Sequence, residues 1–466
     1  MNFAELRFWG WLALGLICVV TARGILGRVA AGRMPVFDKV ALFSLGLFLL
    51  LCVSWVTFII FLCVAVGTYL GLGWILRYHA AHATEYLLVL IPLQLLPLAY
   101  YKYSDFLVNQ VLGLQAVGLE HLIIPVGISF YTFQKVAFVI DTLAFHEPLP
   151  ALLDYLNFAG FFPQIVAGPI ERRRDLLPQM ERFRFRWDPE AIDEGAGWVA
   201  LGLFFKCALA DNLATYFDAS SVTNPYLIWL ANGVFGLRIY YDFAGYSLIA
   251  VGLGRALGIR LTLNFLSPYC ATSATEFWRR WHVTLSQWFR DYVYIPMGGG
   301  RTPVWAWNVA VVFVASGIWH GAGWNFVLWG ALHALFLITN RRCKNWIPAA
   351  FPSWLLTMVA SFYAWLCFYE RRTGVLLAKL RVLLTPHAYQ LDALRAATHH
   401  WAPGDAMVLA GFMALAASVL LLEWVSVRRE NQPYYYLRRR PVLVGLVILT
   451  VLLAPETHNS FIYFAF

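Results

Sequence analysis

The chain has 466 residues, 60% of them hydrophobic and 13% charged, and a mean hydropathy of +0.63. Soluble domains average about 45–50% apolar and about 25% charged, so a soluble globular protein is excluded and a polytopic membrane protein is indicated. The net charge of +9 is no nucleic-acid signature, because Arg and Lys sit between apolar runs, as in cytoplasmic loops.

Transmembrane barrels need short alternating segments, whereas the apolar runs here are long and continuous, which predicts helices. Phe8 to Val20 reads as a first span. A cleaved signal peptide carries positive charge ahead of its apolar run. Here Arg23, Arg28, Arg33 and Lys39 follow it, so an uncleaved span with that basic loop inside is expected. Val40 to Leu76 exceeds one span of about 20 residues and predicts two helices breaking near Ser54. Tyr86 to Tyr101, with Pro92 and Pro97, is a further span. So is Leu122 to Phe145, whose Gln134, Lys135 and Asp141 should face the bundle interior. Phe158 to Gly168, with Pro163 inside and Pro169 next, predicts a broken or re-entrant element.

Glu171 to Asp193 carries Arg172, Arg173, Arg174, Arg182, Arg184 and Arg186 and is expected in the cytoplasm. Trp198 to Leu209 opens a helix running past Lys206 and Asp211 towards Phe217, and Pro225 to Ile259 is a long run holding Arg238, Asp242 and Arg255. Residues 264–301, rich in Trp, Arg and Tyr, suit an interfacial helix or folded loop, with Glu276 to Ser286 as an amphipathic helix. Pro303 to Asn340 contains no Asp, Glu, Lys or Arg and lies between Arg301 and the group Arg341, Arg342 and Lys344. With both flanks on one side, two half-length helices would meet at Gly317, Gly321 and Gly323 and place His320 near the midplane. A single long tilted helix is the competing geometry. Trp354 to Tyr369, Ala406 to Val425 and Val442 to Leu453 are the last spans, with Arg371 to His400 a surface segment, Arg428 to Arg440 cytoplasmic and Pro455 to Phe466 outside. The expected fold is an all-α polytopic membrane protein, one integral domain over residues 1–466. It has roughly ten or eleven membrane elements, some broken or re-entrant, around a central cavity.

Chemistry concentrates on His320. An ionisable group inside an uncharged membrane run is costly unless it has a partner, a wet cavity or a role, and a neutral imidazole can act as a general base. His282 lies in the Trp- and Arg-rich segment ahead of that run. His333 reads as a packing residue, and His79, His82, His121, His146, His387, His399, His400 and His458 lie at run edges. No metal site is expected, since no HxxxH or HxH spacing accompanies the pair. The seven scattered Cys have no CxxC, which gives no support for a disulfide framework. Met297 to Arg301 is glycine-rich without the order of a nucleotide loop, and no GxSxG elbow is present.

Several blocks together resemble the membrane-bound O-acyltransferases, in the branch of the bacterial alginate O-acetyltransferases, with the teichoic-acid D-alanylation membrane protein as a cousin. They are Ile124 to Gln134, Phe161 to Ile170, Tyr241 to Ser247, Trp278 to Pro296, Ser316 to Gly330 and the closing Phe461 to Phe466. The motif-rich core is about residues 122–340. The resemblance implies that His320 is the catalytic histidine and His282 the second signature histidine. It implies acyl transfer from a cytoplasmic donor, with acetyl-CoA as the expected donor and no bound cofactor. The acceptor would be an extracytoplasmic, alginate-like polysaccharide, reached through a periplasmic SGNH-type partner at a bacterial inner membrane. Leu248 departs from the family pattern, which has Asp after Gly-Tyr-Ser. On this reading Arg279, Arg280 and Arg290 attract the donor's phosphates. An oxyanion is stabilised by the glycine-break amides, Trp324 or Asn325. The rival readings are D-alanyl transfer, a transporter or channel, which usually shows related halves not seen here, and a scaffold that only recruits an enzyme.

Overall fold

The computed structural model describes residues 3–29, 31–114, 118–119, 122–216, 223–343, 350–456, 459 and 461–462. His121, Phe217, Lys344, His458 and the closing residues 463–466 lie outside them. Every regular element among the described residues is helical, and the chain divides into two compact units.

The first unit holds Met1–Val199 and Tyr246–Leu263. Its helices are α1 (Leu6–Val29), α2 (Met34–Val53), α3 (Trp55–Tyr78), α4 (Leu87–Leu98), α5 (Ile128–Leu143), α6 (Leu152–Gly160), α7 (Phe162–Ile165), α8 (Arg173–Glu181) and most of α9 (Pro189–Leu203). The break at Ser54 falls where the sequence placed it: its hydroxyl accepts from the Thr57 N–H at 3.2 Å, capping α3. The broken element is found too, as α6 and α7 separated at Phe161. Gly127 opens α5 with φ +75, and a Cβ there would stand 2.7 Å from the Ile165 carbonyl oxygen. Gln134 and Lys135 are buried as expected. Lys135 lies 4.3 Å from the Phe61 ring centroid and 4.4 Å from that of Tyr131, while Asp141 is only half-buried.

Two expectations need correction here, on the basic loop and on the span from Leu122. The basic stretch after the first span is not a loop throughout: α1 continues to Val29, with Arg23 and Arg28 in its last turns, and Arg23 bonds the buried Asp38 of α2 at 2.8 Å. Within the arginine cluster, whose side of the membrane is untouched by this, Arg172 and Arg173 are buried. Arg173 donates to the Thr142 hydroxyl at 2.8 Å and to the Pro148 carbonyl. The expected span from Leu122 shortens to the 16 residues of α5, because the Pro125 to Gly127 turn precedes it.

The second unit holds Ala200–Gly245 and Asn264–Phe466. Its helices are α10 (Asp211–Thr215), the larger part of α11 (Pro225–Ala256), α12 (Ala274–Arg280), α13 (Val283–Phe289), α14 (Trp305–His320), α15 (Trp324–Arg342), α16 (Ala350–Tyr369), α17 (Thr373–Leu383), α18 (Leu391–Thr398), α19 (Pro403–Glu430) and α20 (Arg440–Leu453). The segment after α16 is not all surface. Leu376, Lys379, Leu380 and Leu383 of α17 are buried, and Lys379 meets Glu370 at 3.0 Å. Among the described residues seven helices are long and apolar enough to cross a membrane, and α20 is a shorter apolar helix. α5 and α14 are shorter, with 16 residues each, and α11 carries Arg238, Asp242 and Arg255.

Candidate active site

The uncharged run folds as two helices, not one tilted rod. α14 ends at His320, Gly321 to Gly323 form the break, and α15 returns antiparallel. A Cβ on Gly317 would lie 2.2 Å from the Phe326 carbonyl oxygen, and one on Gly330 would lie 2.3 Å from that of Phe313. These reciprocal approaches set the register of the pair, and only glycine permits them. At the other end, the Arg341 guanidinium sits 4.2 Å from the Trp305 ring centroid and donates to the Gly300 carbonyl at 3.2 Å. Both basic flanks therefore lie at the same end of the hairpin, with His320 at the opposite one.

His282 is not on a continuous amphipathic helix. The Glu276 to Ser286 stretch breaks between α12 and α13, and His282 stands in the break with φ 40 and ψ 57. A left-handed residue other than glycine costs on the order of 1–3 kcal/mol and persists only when its surroundings fix it. A short non-helical strap, residues 264–266, does so here. Val283 N–H donates to the Asn264 carbonyl at 2.9 Å, Leu266 N–H to the Arg280 carbonyl at 2.9 Å, and the Thr284 hydroxyl to Asn264 Oδ1 at 2.6 Å. The Phe265 ring packs on Trp281 at 5.0 Å.

The fold thereby brings together two imidazoles separated by 38 positions. His282 is 0% and His320 1% exposed, and their ring centroids are 6.5 Å apart. Trp319 touches both, at 5.8 Å from His282 and 4.9 Å from His320. Phe243 lies edge-on to His282 at 4.7 Å, while Trp329 and Phe368 wall His320 at 5.0 and 5.1 Å. His333 packs as expected, its Nδ1 accepting from the Trp278 indole at 3.3 Å. The buried Trp329 indole N–H has no hydrogen-bond partner among the described residues.

A cavity of about 1210 Å³ opens beside this pair. Its wall includes Arg279, Arg290 and Arg341, together with Ser316, one turn before His320, and Val283, next to His282; neither imidazole lines it. Of the arginines expected to meet phosphates, Arg279 and Arg290 are on this wall. Arg280 is not; it is held by Glu276 at 2.8 Å and by the Leu266 carbonyl at 2.9 Å. Arg341 was missed because it flanks the run from its far end. Asn325 is buried with its amide donating to the Cys367 carbonyl at 2.8 Å, and Trp324 is 49% exposed. The Cys367 carbonyl that holds Asn325 precedes Phe368, the ring that walls His320.

Sequence reasoning also missed a buried charge cluster. Lys206 Nζ lies 2.8 Å from Asp211 and 2.7 Å from Asp242, and donates to the Asn459 carbonyl at 3.0 Å. Asp242 accepts from the Ile462 N–H at 2.6 Å, and Phe461 packs on Phe243 at 5.6 Å. Opposite charges inside apolar runs were the available signal.

A sequence model described as MBOAT, membrane-bound O-acyltransferase family, matches residues 48–373. The chain is similar to the probable alginate O-acetylase AlgI of Pseudomonas aeruginosa, 33% identical over 367 residues, 75% of this chain and 69% of that one. It is 33% identical to the peptidoglycan O-acetyltransferase of Helicobacter pylori over 58% of this chain and 59% of that one. It is 30% identical to the teichoic acid D-alanyltransferase of Bacillus subtilis, over 53% of this chain and 68% of that one.

Proposed function

The chain belongs to the membrane-bound O-acyltransferase family and is a multi-pass membrane acyltransferase, and from that premise we propose that it moves an acetyl group from a cytoplasmic thioester, acetyl-CoA, for O-acetylation of an extracytoplasmic polysaccharide. The buried His282–His320 pair beside an arginine-walled cavity carries this reading. Acetylation is favoured over D-alanylation by the longer match to the alginate-type relative. The proposal includes a bacterial inner membrane and a periplasmic SGNH-type partner.

In the proposed reaction His320 accepts the proton of the acceptor hydroxyl as its oxygen attacks the thioester carbonyl carbon. The tetrahedral oxyanion collapses, the C–S bond breaks, and the imidazolium returns its proton to the leaving thiolate. One ester and one free thiol result. Arg279, Arg290 and Arg341 would meet the donor's phosphates, and His282 would support the donor side. Trp329 is the better oxyanion donor than Asn325, because its N–H is buried beside His320 without a described partner while the Asn325 amide already gives one of its two N–H groups to Cys367.

Purified protein, labelled acetyl-CoA and acceptor test the reading. Removing a general base costs about 10²–10⁴ in rate, so His320→Ala and His320→Gln should both abolish detectable transfer while the protein still inserts. Near wild-type transfer by His320→Gln would make His320 structural and overturn the mechanism.

A further inference from the structure

The mechanism leaves unused a carboxylate buried in α19. Glu423 is 0% exposed in a helix otherwise apolar enough to span a membrane. An ionisable group so placed is costly and calls for a role. Its Oε2 accepts from the Tyr240 hydroxyl at 2.7 Å; the Tyr240 and Tyr434 hydroxyl oxygens are 3.2 Å apart; and Tyr434 donates to the Phe265 carbonyl at 3.1 Å. Tyr434 is also fully buried and holds φ +60, a conformation uncommon outside glycine. The backbone is strained at the residue that delivers this hydroxyl.

The chain of hydroxyls ends on the main chain that fixes His282. Phe265 lies between Asn264, which accepts from Val283, and Leu266, which donates to Arg280. Those two bonds bracket His282, and the Phe265 ring lies nearly parallel to the imidazole, 16° between planes, at 6.5 Å. Glu423 and Tyr434 both fall beyond residues 48–373, the stretch matched by the family.

We propose that Glu423, Tyr240 and Tyr434 are positioning residues for acyl transfer. Their hydroxyl chain fixes the 264–266 strap, and the strap fixes the left-handed turn that sets His282 against His320. The inference rests on the reading that the two histidines act together.

Tyr434→Phe removes one hydroxyl and keeps the ring. It should lower kcat about tenfold, as expected for a buried hydrogen-bonding group left unpaired. KM for acetyl-CoA should stay within about twofold, because no strap residue lines the donor cavity. Amide hydrogen exchange across residues 264–284 should quicken. Tyr436→Phe removes a comparable hydroxyl bond, to Glu430 at 2.7 Å, and should leave all three readouts unchanged. Glu423→Gln keeps an acceptor for Tyr240 and should retain activity, whereas Glu423→Leu should behave like Tyr434→Phe. If Glu423→Leu does not accumulate, Tyr240→Phe takes its place. Wild-type kcat in Tyr434→Phe, or a fall in kcat with unchanged exchange over 264–284, overturns the proposal. His320→Gln, assayed in parallel, separates the two failures. An inactive His320→Gln beside a normal Tyr434→Phe removes only the positioning role, and an active His320→Gln removes the underlying reading.

Discussion

Beside His320 the Trp329 indole presents a donor that no described side chain or carbonyl satisfies. A buried donor left without a partner costs about 1–3 kcal/mol, a cost that transition-state binding would recover. Trp329→Phe keeps an aromatic wall and deletes the N–H. It should lower kcat about 10²-fold with less change in KM for the donor, read by steady-state kinetics at saturating acceptor. A rise in KM alone would mark Trp329 as a ground-state packing residue. At this scale the sequence was informative where one residue stood out against its neighbours. His320 was legible because no charge surrounds it for a whole run. The arginines of the cavity wall were half legible: Arg279 and Arg290 line the cavity, Arg280 is held by Glu276, and Arg341 comes from a different helix. Charge type and position in sequence do not say which of two adjacent arginines points into a cavity.

Elements were legible where hydropathy and helix breakers agree. Ser54 and Gly321 to Gly323 break the chain as predicted, because a cap and small residues are local signals. The left-handed turn at His282 was not legible, since what fixes it comes from the 264–266 strap and, beyond that, from Tyr434 in a distant segment. Gly330→Ala tests the hairpin directly: its Cβ would meet the Phe313 backbone at 2.3 Å. Overpacking of this kind costs about 1–3 kcal/mol, so detergent-solubilised protein should unfold at lower temperature and lose activity. Gly374→Ala in α17, with open space at its Cβ, should do neither. The α12 wall of the cavity adds a pH dependence. Burial alone would raise the Glu276 carboxyl, but hydrogen bonds from the Thr272 N–H and hydroxyl, and Arg280, outweigh it and hold it below the usual glutamate range. Its folded pKa is therefore depressed, so its stabilising contribution is complete above the unfolded value of about 4.3 and is lost as pH falls through the folded value. Thermal unfolding across acid pH should show a shallower decline in Glu276→Gln than in the wild type. Equal slopes would show that Glu276 contributes nothing to acid stability.

Across the whole molecule a largely apolar core coexists with exposed apolar side chains and a few buried charges. Leu88 in the first unit and Val451 in the second are exposed, while Asp38, Lys135, Lys206 and Glu423 are buried. Water would penalise such exposed apolar surface, and lipid would not. Each unit therefore has the surface of a membrane-embedded body. That setting turns the hairpin geometry into a topological statement. α14 and α15 are antiparallel, and Arg341 packs on Trp305, so the entry and exit of the uncharged run emerge together. Arg and Lys flanks favour the cytoplasmic side. Single cysteines placed at the exposed Arg301 and Arg342, with the seven native cysteines replaced, should therefore react with an impermeant thiol reagent only after the cell membrane is opened. Labelling of one position from outside and the other from inside would mean that the run crosses the bilayer once. His320 would then sit on a through-going helix, and the paired-histidine site would have to be rebuilt.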